Sequence, residues 1–219
     1  MKRYVFKIPA HKVDDFEKLI KDKIGFSVVL LDAIQIILTE HYCENLQQGN
    51  MVVVNISKMK RLIVVLNSKI FSCHFPFNIE LREEADENLF RITLPYTTVA
   101  IDNQYLSIVK SFISSKLQKC LAIDYLLEEF WEHIRENNIN DESAERDLSI
   151  ILLYLLNIEP GYLRYDKDEE HKNGDLHPEH HFDMFYSNST KLKIGLKKGI
   201  DMKEFVDFLD IETDVRYLE

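Results

Sequence analysis

The sequence predicts an α+β protein: an antiparallel β-meander packed on helices, then a helical segment and a C-terminal β-hairpin with a short helix. Three observations lead to this fold class. Several β-prone segments between residues 51 and 101 are joined by short polar turns, and short connections join antiparallel neighbours. Residues 103–137 then follow the periodicity of an amphipathic helix. Residues 177–186 and 191–197 return to strand-like alternation.

The composition is that of a folded protein. With 219 residues, of which 46% are apolar, the chain is long enough to bury a substantial core. We expect an N-terminal α+β region with the antiparallel sheet at residues 1–102. A helical region plus the C-terminal hairpin, at residues 103–219, is expected to share one core with it.

The N-terminal elements follow from local patterns. Tyr4–Ile8 is β-prone, Val13–Ile24 places its apolar residues on one helical stripe, and Val28–Gln48 has the apolar density of a mostly buried helix. The strands predicted for the meander are Met51–Ile56, Leu62–Asn67, Ile70–Leu81 and Leu89–Ile101. Pro76 and Pro95 predict a break, a bulge or an edge position in the last two of these strands, because proline cannot donate a hydrogen bond to the sheet.

The second half is predicted from helical periodicity and capping residues. Asn103–Asn137 forms one long helix or two nearly continuous ones, and Asp141 is a capping candidate for a further helix through Leu156. The remaining predicted elements are the strand Tyr162–Asp166, the hairpin strands His177–Tyr186 and Lys191–Lys197, the helix Met202–Leu209 and the strand Val215–Leu218. The predicted core positions include Phe16, Leu126 and Leu152.

The charge distribution narrows the classes of partner. The net charge is −10, and residues 71–190 carry 10 basic and 23 acidic side chains, whereas residues 1–70 carry 11 and 7. Because the middle of the chain is acidic, we do not expect most of the surface to bind nucleic acid. We therefore expect a protein partner or a homo-oligomer rather than nucleic acid.

The apolar segments and the cysteines bear on the compartment. Residues 26–38 are interrupted by Asp32 and fall short of the ~20 residues of a membrane span. Cys43, Cys73 and Cys120 show no CxxC pair, so they are interpreted as buried thiols. These features predict a cytoplasmic protein without a membrane interaction.

The common catalytic signatures, such as GxGxxG, GxSxG and HExxH, do not occur in the sequence, but four of its eight histidines fall between His171 and His181. Strand alternation over 177–186 places every second residue on one face, and pairing through the hairpin adds Lys193 to it. The strand Tyr162–Asp166 presents two more charged residues in the same way. One face of the sheet is thus predicted to gather Arg164, Asp166, His177, His181, Asp183 and Lys193.

These residue types suit a metal centre. Two imidazoles with a carboxylate bind zinc, manganese or iron, so we expect a divalent metal as cofactor. The predicted ligands are His177, His181 and Asp183. Asp166 would orient water or a ligating histidine, and Lys193 or Arg164 would stabilise developing negative charge. The alternative is a solvated face of the hairpin whose charged residues form cross-strand pairs.

Two short segments of the C-terminal region carry a family resemblance. Residues 177–183 read His-Pro-Glu-His-His-Phe-Asp, and residues 193–196 read Lys-Ile-Gly-Leu. With the short helix and the terminal strand predicted after them, they resemble the C-terminal hallmark of an uncharacterised bacterial family, which has histidine and aspartate on a strand before a KIGL-like turn. The resemblance covers roughly the last 60 residues. Members of that family occur near mobile-element and phage-defence genes, and the resemblance implies no catalytic residues.

Three functions of different classes follow from these observations. The first is an accessory or binding component of a bacterial multi-protein system, such as phage defence. The second is a metal-assisted hydrolase or nuclease that uses the C-terminal His/Asp/Lys face. The third is an inhibitor or antitoxin whose acidic surface binds a basic partner. The sequence leaves the choice among them open.

Overall fold

The computed structural model confirms the predicted α+β class. It describes residues 3–18, 20, 22–43, 48–56, 59–84, 87–115, 117, 123–187 and 190–214. In chain order the elements are β1 (Arg3–Lys7), α1 (Val13–Glu17), α2 (Lys23–Thr39), β2 (Met51–Asn55), β3 (Arg61–Val65), β4 (Lys69–His74), β5 (Asn78–Glu84), β6 (Glu87–Thr93), β7 (Ala100–Ile101), α3 (Asn103–Ser115), α4 (Ile123–Glu136), α5 (Glu142–Asn157), β8 (Tyr162–Lys167), β9 (His180–Ser187), β10 (Thr190–Gly195) and α6 (Met202–Leu209).

The chain folds into two compact units, each assembled from segments that are distant in sequence. Unit 1 comprises residues 1–18, 42–75 and 160–219, and unit 2 comprises residues 19–41 and 76–159. These boundaries do not coincide with the predicted division at residue 102, because the C-terminal hairpin joins the sheet that the N-terminal strands begin.

Unit 1 is built on a seven-stranded antiparallel sheet with the strand order β1-β2-β3-β4-β8-β9-β10. The junction between its N- and C-terminal parts is the pairing of β4 with β8, which places Ile70 opposite Tyr165. One face of the sheet packs against α6, where Phe205 is fully buried among residues such as Val53 and Phe182. This apolar contact covers one face of β8 and β9 and leaves polar residues on the other.

The helix α6 begins at a complete capping box. The Asp201 side chain accepts a hydrogen bond from the Glu204 backbone N–H at 2.8 Å, and the Glu204 carboxylate accepts one from the Asp201 backbone N–H at 3.2 Å. Reciprocal bonds of this kind satisfy N–H groups that the first helical turn leaves unpaired. The start of α6, and with it the position of Phe205 on the sheet, is therefore set locally.

Unit 2 contains the three-stranded sheet β5-β6-β7 and the helices α2 to α5. Asp22 and Asp141 are the N-caps of α2 and α5. The Asp22 side chain accepts a hydrogen bond from the Gly25 backbone N–H at 2.8 Å, and the Asp141 side chain accepts one from the Ala144 backbone N–H at 3.0 Å. The buried carboxylate of Asp32 on α2 is paired with Lys110 on α3, which offsets the cost of burying a charge. None of the described helices combines the length and apolar character that a membrane crossing requires.

Several element boundaries differ from the prediction. The segment predicted as one strand, Ile70–Leu81, forms β4 and β5, which belong to different sheets. Pro76 lies between them, and since it has no N–H to donate to a ladder, the chain leaves the first sheet there. Pro95 likewise lies between β6 and β7.

The first two helices also differ from the prediction. Within the first segment Val13–Glu17 forms α1 and Lys18 is extended, whereas Lys23 and Ile24 already belong to α2, which follows its cap Asp22 instead of beginning at residue 28. It ends at Thr39 because the chain becomes extended at Glu40 and then pairs with β1 through Tyr42. The predicted last strand, Val215–Leu218, lies outside the described residues.

The predicted core positions allow a direct test of the helix faces. Leu152 is fully buried, whereas its neighbour Leu153 is 39% exposed. We expect Leu152→Ala to lower the free energy of unfolding by about 2–5 kcal/mol, because it removes buried methyl groups and leaves a cavity. Leu126→Ala and Phe16→Ala, at buried positions, should cost a similar amount.

The matched control for these variants is Leu153→Ala, which should change stability by less than about 1 kcal/mol because its side chain remains partly in water. Urea unfolding followed by circular dichroism measures the free energy of unfolding of each variant. Equal costs at positions 152 and 153 would contradict the orientation of α5.

Candidate metal centre

The strand registers of β8, β9 and β10 assemble a set of charged side chains. Arg164 lies opposite Asp183, Asp166 lies opposite His181, and Lys193 lies opposite Asp183 on the far side. Because alternate residues of a strand share a face, all five lie on the face of the sheet opposite α6. We call these five residues the charged face.

Arg164 joins the two carboxylates of the charged face. Its Nε and Nη2 lie 2.8 and 2.7 Å from Asp166 Oδ2, and Nη2 also lies 2.5 Å from Asp183 Oδ2. Burial alone would lower the pKa of Arg164, but the charge and hydrogen bond of Asp166, with the charge of Asp183, raise it above its ordinary value. The guanidinium therefore stays charged and positions both carboxylates.

His181 is the most deeply buried member of the charged face, with 1% of its surface exposed. Its Nδ1 lies 2.9 Å from the carbonyl oxygen of Pro178. A carbonyl can only accept, so Nδ1 carries the proton, and in the neutral ring Nε2 presents a lone pair. That Nε2 lies 3.5 Å from Asp166 Oδ2.

An imidazole anchored in this way has the arrangement usual for a metal-ligating histidine. Such residues donate their second ring N–H to a carbonyl or carboxylate, which sets the tautomer and the ring orientation. In His181 the anchored atom is Nδ1, and the atom left available faces a carboxylate oxygen. A lone pair and a carboxylate oxygen at this distance are stabilised by a cation placed between them.

Asp166, His181 and Asp183 can together serve one ion. Each offers one ligand atom, and these atoms lie within 4.8 Å of one another. Ligand bonds to zinc are about 2.0–2.2 Å long, so the three side chains would have to move closer together to hold one ion. Three protein ligands leave positions open for water or substrate, as in catalytic metal centres.

His177 lies at the edge of this group and not within it. Its Nε2 is 3.2 Å from Asp168 Oδ2, and its ring meets that of His181 edge-on with centroids 4.9 Å apart. The sequence analysis predicted His177 as a metal ligand and Asp166 as a residue that orients water or a ligating histidine. The geometry instead groups Asp166 with the possible ligands. Strand alternation could not reveal this, because β9 begins only at His180.

Asp168 anchors the loop that precedes β9. The backbone N–H of His171 lies 3.0 Å from its Oδ1. That hydrogen bond, together with those from the His171 and His177 imidazoles, lowers the pKa of Asp168 to about 2. The carboxylate is therefore ionised throughout the physiological range and keeps His177 oriented.

Gly195 lets the same loop reach the sheet. It lies opposite His181 in the register, and a Cβ at this position would be only 2.8 Å from Pro178 Cγ. Pro178 supplies the carbonyl that anchors His181, so the missing side chain at residue 195 is what allows this anchor to approach. The prediction assigned no role to either residue. A glycine within a strand was the available signal, since it often marks a close approach of backbone.

Lys193 is the most exposed of the charged face. Its Nζ lies 3.7 Å from Asp183 Oδ1, and 37% of its side chain is exposed. Such a pair is loosely held and adds little stability. The ammonium group can therefore turn toward a bound anion without breaking a strong interaction.

No protein-family model, curated protein or solved structure matches this chain. The site is therefore argued from its geometry, and the resemblance of the C-terminal region to an uncharacterised bacterial family stays a prediction.

The contact between Gly195 and Pro178 predicts that alanine destabilises the protein more at residue 195 than at residue 161. We expect Gly195→Ala to lower the free energy of unfolding by about 1–3 kcal/mol, since the added methyl group forces Pro178 away from the sheet. Gly161→Ala is the matched control, because its Cβ would meet only the Phe185 carbonyl oxygen at 3.8 Å. Thermal unfolding compares the two variants, and equal effects would contradict the close approach.

Proposed function

We propose that this protein is a metal-assisted hydrolase that binds a divalent cation through Asp166, His181 and Asp183. The observation that carries the proposal is the pairing of a buried, carbonyl-anchored imidazole with a carboxylate, 3.5 Å from Nε2 to Oδ2. With Nδ1 protonated, this pair lacks a positive charge between its two acceptors. A divalent metal would supply two positive charges between these acceptors, whereas a proton would supply only one.

The charges around the site favour a phosphoester as substrate. The carboxylates of Asp166 and Asp183 are balanced by Arg164 and Lys193 when His181 is neutral, so the charged face has no net charge by itself. A divalent cation adds two positive charges, which a phosphate dianion can neutralise. A neutral substrate would leave those charges uncompensated in a partly buried site.

The residues of the charged face then have distinct roles. Arg164 contacts the Oδ2 atoms of both carboxylates and so orients the two side chains. Lys193 lies at the exposed side and can contact the developing negative charge on the phosphoryl group. The metal would lower the pKa of bound water and so supply the nucleophile.

Arg164 also limits the affinity for the metal. A guanidinium that contacts two carboxylates competes with a cation for the same negative charge. Binding is therefore best measured by titration, because a weakly held ion can be lost during purification. The accessory-component and inhibitor functions stay predictions, since the geometry of the described residues bears on neither of them.

Metal binding is the first test. We expect Mn²⁺ or Zn²⁺ to bind the wild-type chain with one-to-one stoichiometry in titration calorimetry. His181→Ala and Asp183→Asn should each weaken binding by more than about 100-fold, because loss of an outer-shell partner alone costs about 10- to 100-fold.

Two other histidines provide controls for that titration. His171→Ala should bind normally, because His171 is an exposed residue of the same loop. His177→Ala should weaken binding by no more than about 10- to 100-fold if His177 only supports His181. Unchanged binding in both ligand variants, or no binding by the wild type, would refute the metal centre.

Hydrolysis is tested with p-nitrophenyl phosphate and bis(p-nitrophenyl) phosphate. We expect release of p-nitrophenol that requires the added metal and is lost in Asp183→Asn. Lys193→Ala should slow the reaction by about 10- to 1000-fold if Lys193 stabilises the transition state. Stoichiometric metal binding without turnover of either compound would retain the metal centre and exclude the phosphoester reaction.

A further inference from the structure

A serine, a histidine and a glutamate form a second arrangement, in unit 2. Ser111 Oγ on α3 lies 2.8 Å from His133 Nε2 on α4, and His133 Nδ1 lies 3.6 Å from Glu136 Oε2, three residues further along the same helix. His133 is buried, with 8% exposed, while Ser111 is on the surface. An exposed serine residue thus contacts a buried imidazole.

Helical periodicity explains why these groups meet. Phe112 and Phe130 pack with ring centroids 4.8 Å apart and hold α3 against α4. Ser111 precedes Phe112, and His133 lies three residues after Phe130, on the same side of α4. Glu136 follows at the same spacing.

The electrostatics decide which atom of His133 carries the proton. Nδ1 is buried and has no hydrogen-bond partner among the residues that the structure describes. A bare lone pair there would face the Glu136 carboxylate, whereas an N–H directs its positive end toward that charge. The Nδ1-protonated tautomer is therefore preferred, and Nε2 is left to accept a proton from Ser111.

We propose that Ser111 is a nucleophile for acyl transfer, with His133 as its general base and Glu136 as the residue that orients the base. A hydroxyl within hydrogen-bond reach of an imidazole, itself oriented by a third group, is the arrangement that activates serine. A competing acceptor, the Ile108 carbonyl oxygen, lies 3.0 Å from Ser111 Oγ. The single hydroxyl proton serves one acceptor at a time, and transfer proceeds from the conformation directed at His133.

The reaction is balanced as follows. Ser111 Oγ forms a bond to the acyl carbon, and the bond from that carbon to the leaving oxygen breaks, with its electron pair remaining on the leaving group. The hydroxyl proton passes to His133 Nε2 and then to the leaving group or to solvent. Water activated by His133 hydrolyses the acyl-serine and restores the hydroxyl.

The position of Ser111 within α3 limits the substrate class. The backbone N–H groups around it bond to carbonyls of the preceding turn, so they cannot bind the oxyanion of a tetrahedral intermediate. General-base catalysis alone contributes about 10²- to 10⁴-fold. That acceleration suffices for acyl compounds with a good leaving group, such as activated esters, and not for amides.

The test uses p-nitrophenyl acetate with the full chain, and peptide mass mapping of the acetylated protein. We expect Ser111 to be acetylated at least about tenfold faster than Ser115, since base catalysis contributes about 10²-fold or more. Ser115 is an internal control: it is an exposed serine one turn later on α3, and its hydroxyl bonds to the Ser111 carbonyl oxygen at 2.6 Å.

Variants distinguish activation of Ser111 by His133 from fast acetylation that reflects only the exposure of Ser111. Ser111→Ala should abolish the fast acetylation, and His133→Gln should reduce it to the rate of Ser115. Glu136→Gln should slow it, and because Glu136 is 61% exposed this variant tests the proposal even if His133→Gln does not fold. Ser115→Ala should leave the rate at Ser111 unchanged.

Equal labelling of the two serines, or an unchanged rate in both His133→Gln and Glu136→Gln, would overturn the proposal. The reaction is carried out in the presence of a chelator. It should be insensitive to the chelator, whereas phosphoester hydrolysis at the charged face should be lost. Failure of one proposal is thereby distinguishable from failure of the other.

Discussion

The geometry of the charged face depends on one guanidinium placed between two carboxylates of adjacent strands. Arg164 contacts Asp166 on its own strand and Asp183 on the next, so it brings together two negative charges that would otherwise repel each other. All three side chains are less than one-quarter exposed, where an unpaired charge is costly. Arg164 therefore links β8 to β9 through their side chains and sets the position of the two carboxylates among the possible metal ligands.

Packing on the two faces of the sheet makes this arrangement possible. On one face, α6 buries the apolar residues of β8 and β9 around Phe205. On the other, the loop before β9 covers His181, and it can do so because Gly195 leaves room for Pro178. His181 is thus excluded from water, while Lys193 remains accessible. A partly buried group of ligands with one exposed side is what a catalytic metal centre requires.

The two candidate sites each contain a buried imidazole with Nε2 available, and they differ in the group that Nε2 faces. In His181 a carbonyl holds Nδ1, which leaves Nε2 for a cation. In His133 the Nδ1 atom faces the Glu136 carboxylate, and Nε2 meets a hydroxyl that can donate a proton to it. Both rings therefore carry the proton on Nδ1, and the group that faces Nε2 differs: a carboxylate oxygen in unit 1 and a hydroxyl in unit 2.

The sequence by itself determined the local arrangement. Alternation of side chains put Arg164 with Asp166 and His181 with Asp183, and the short turn of the hairpin set Lys193 opposite Asp183, because faces and hairpin registers depend on neighbouring residues alone. Only the tertiary structure decided which distant segments meet. The pairing of β4 with β8, the approach of Pro178 to Gly195 and the contact between Ser111 and His133 each join residues from separate elements. No local periodicity encodes such contacts, since they arise from the way whole strands and helices bury their apolar faces against one another.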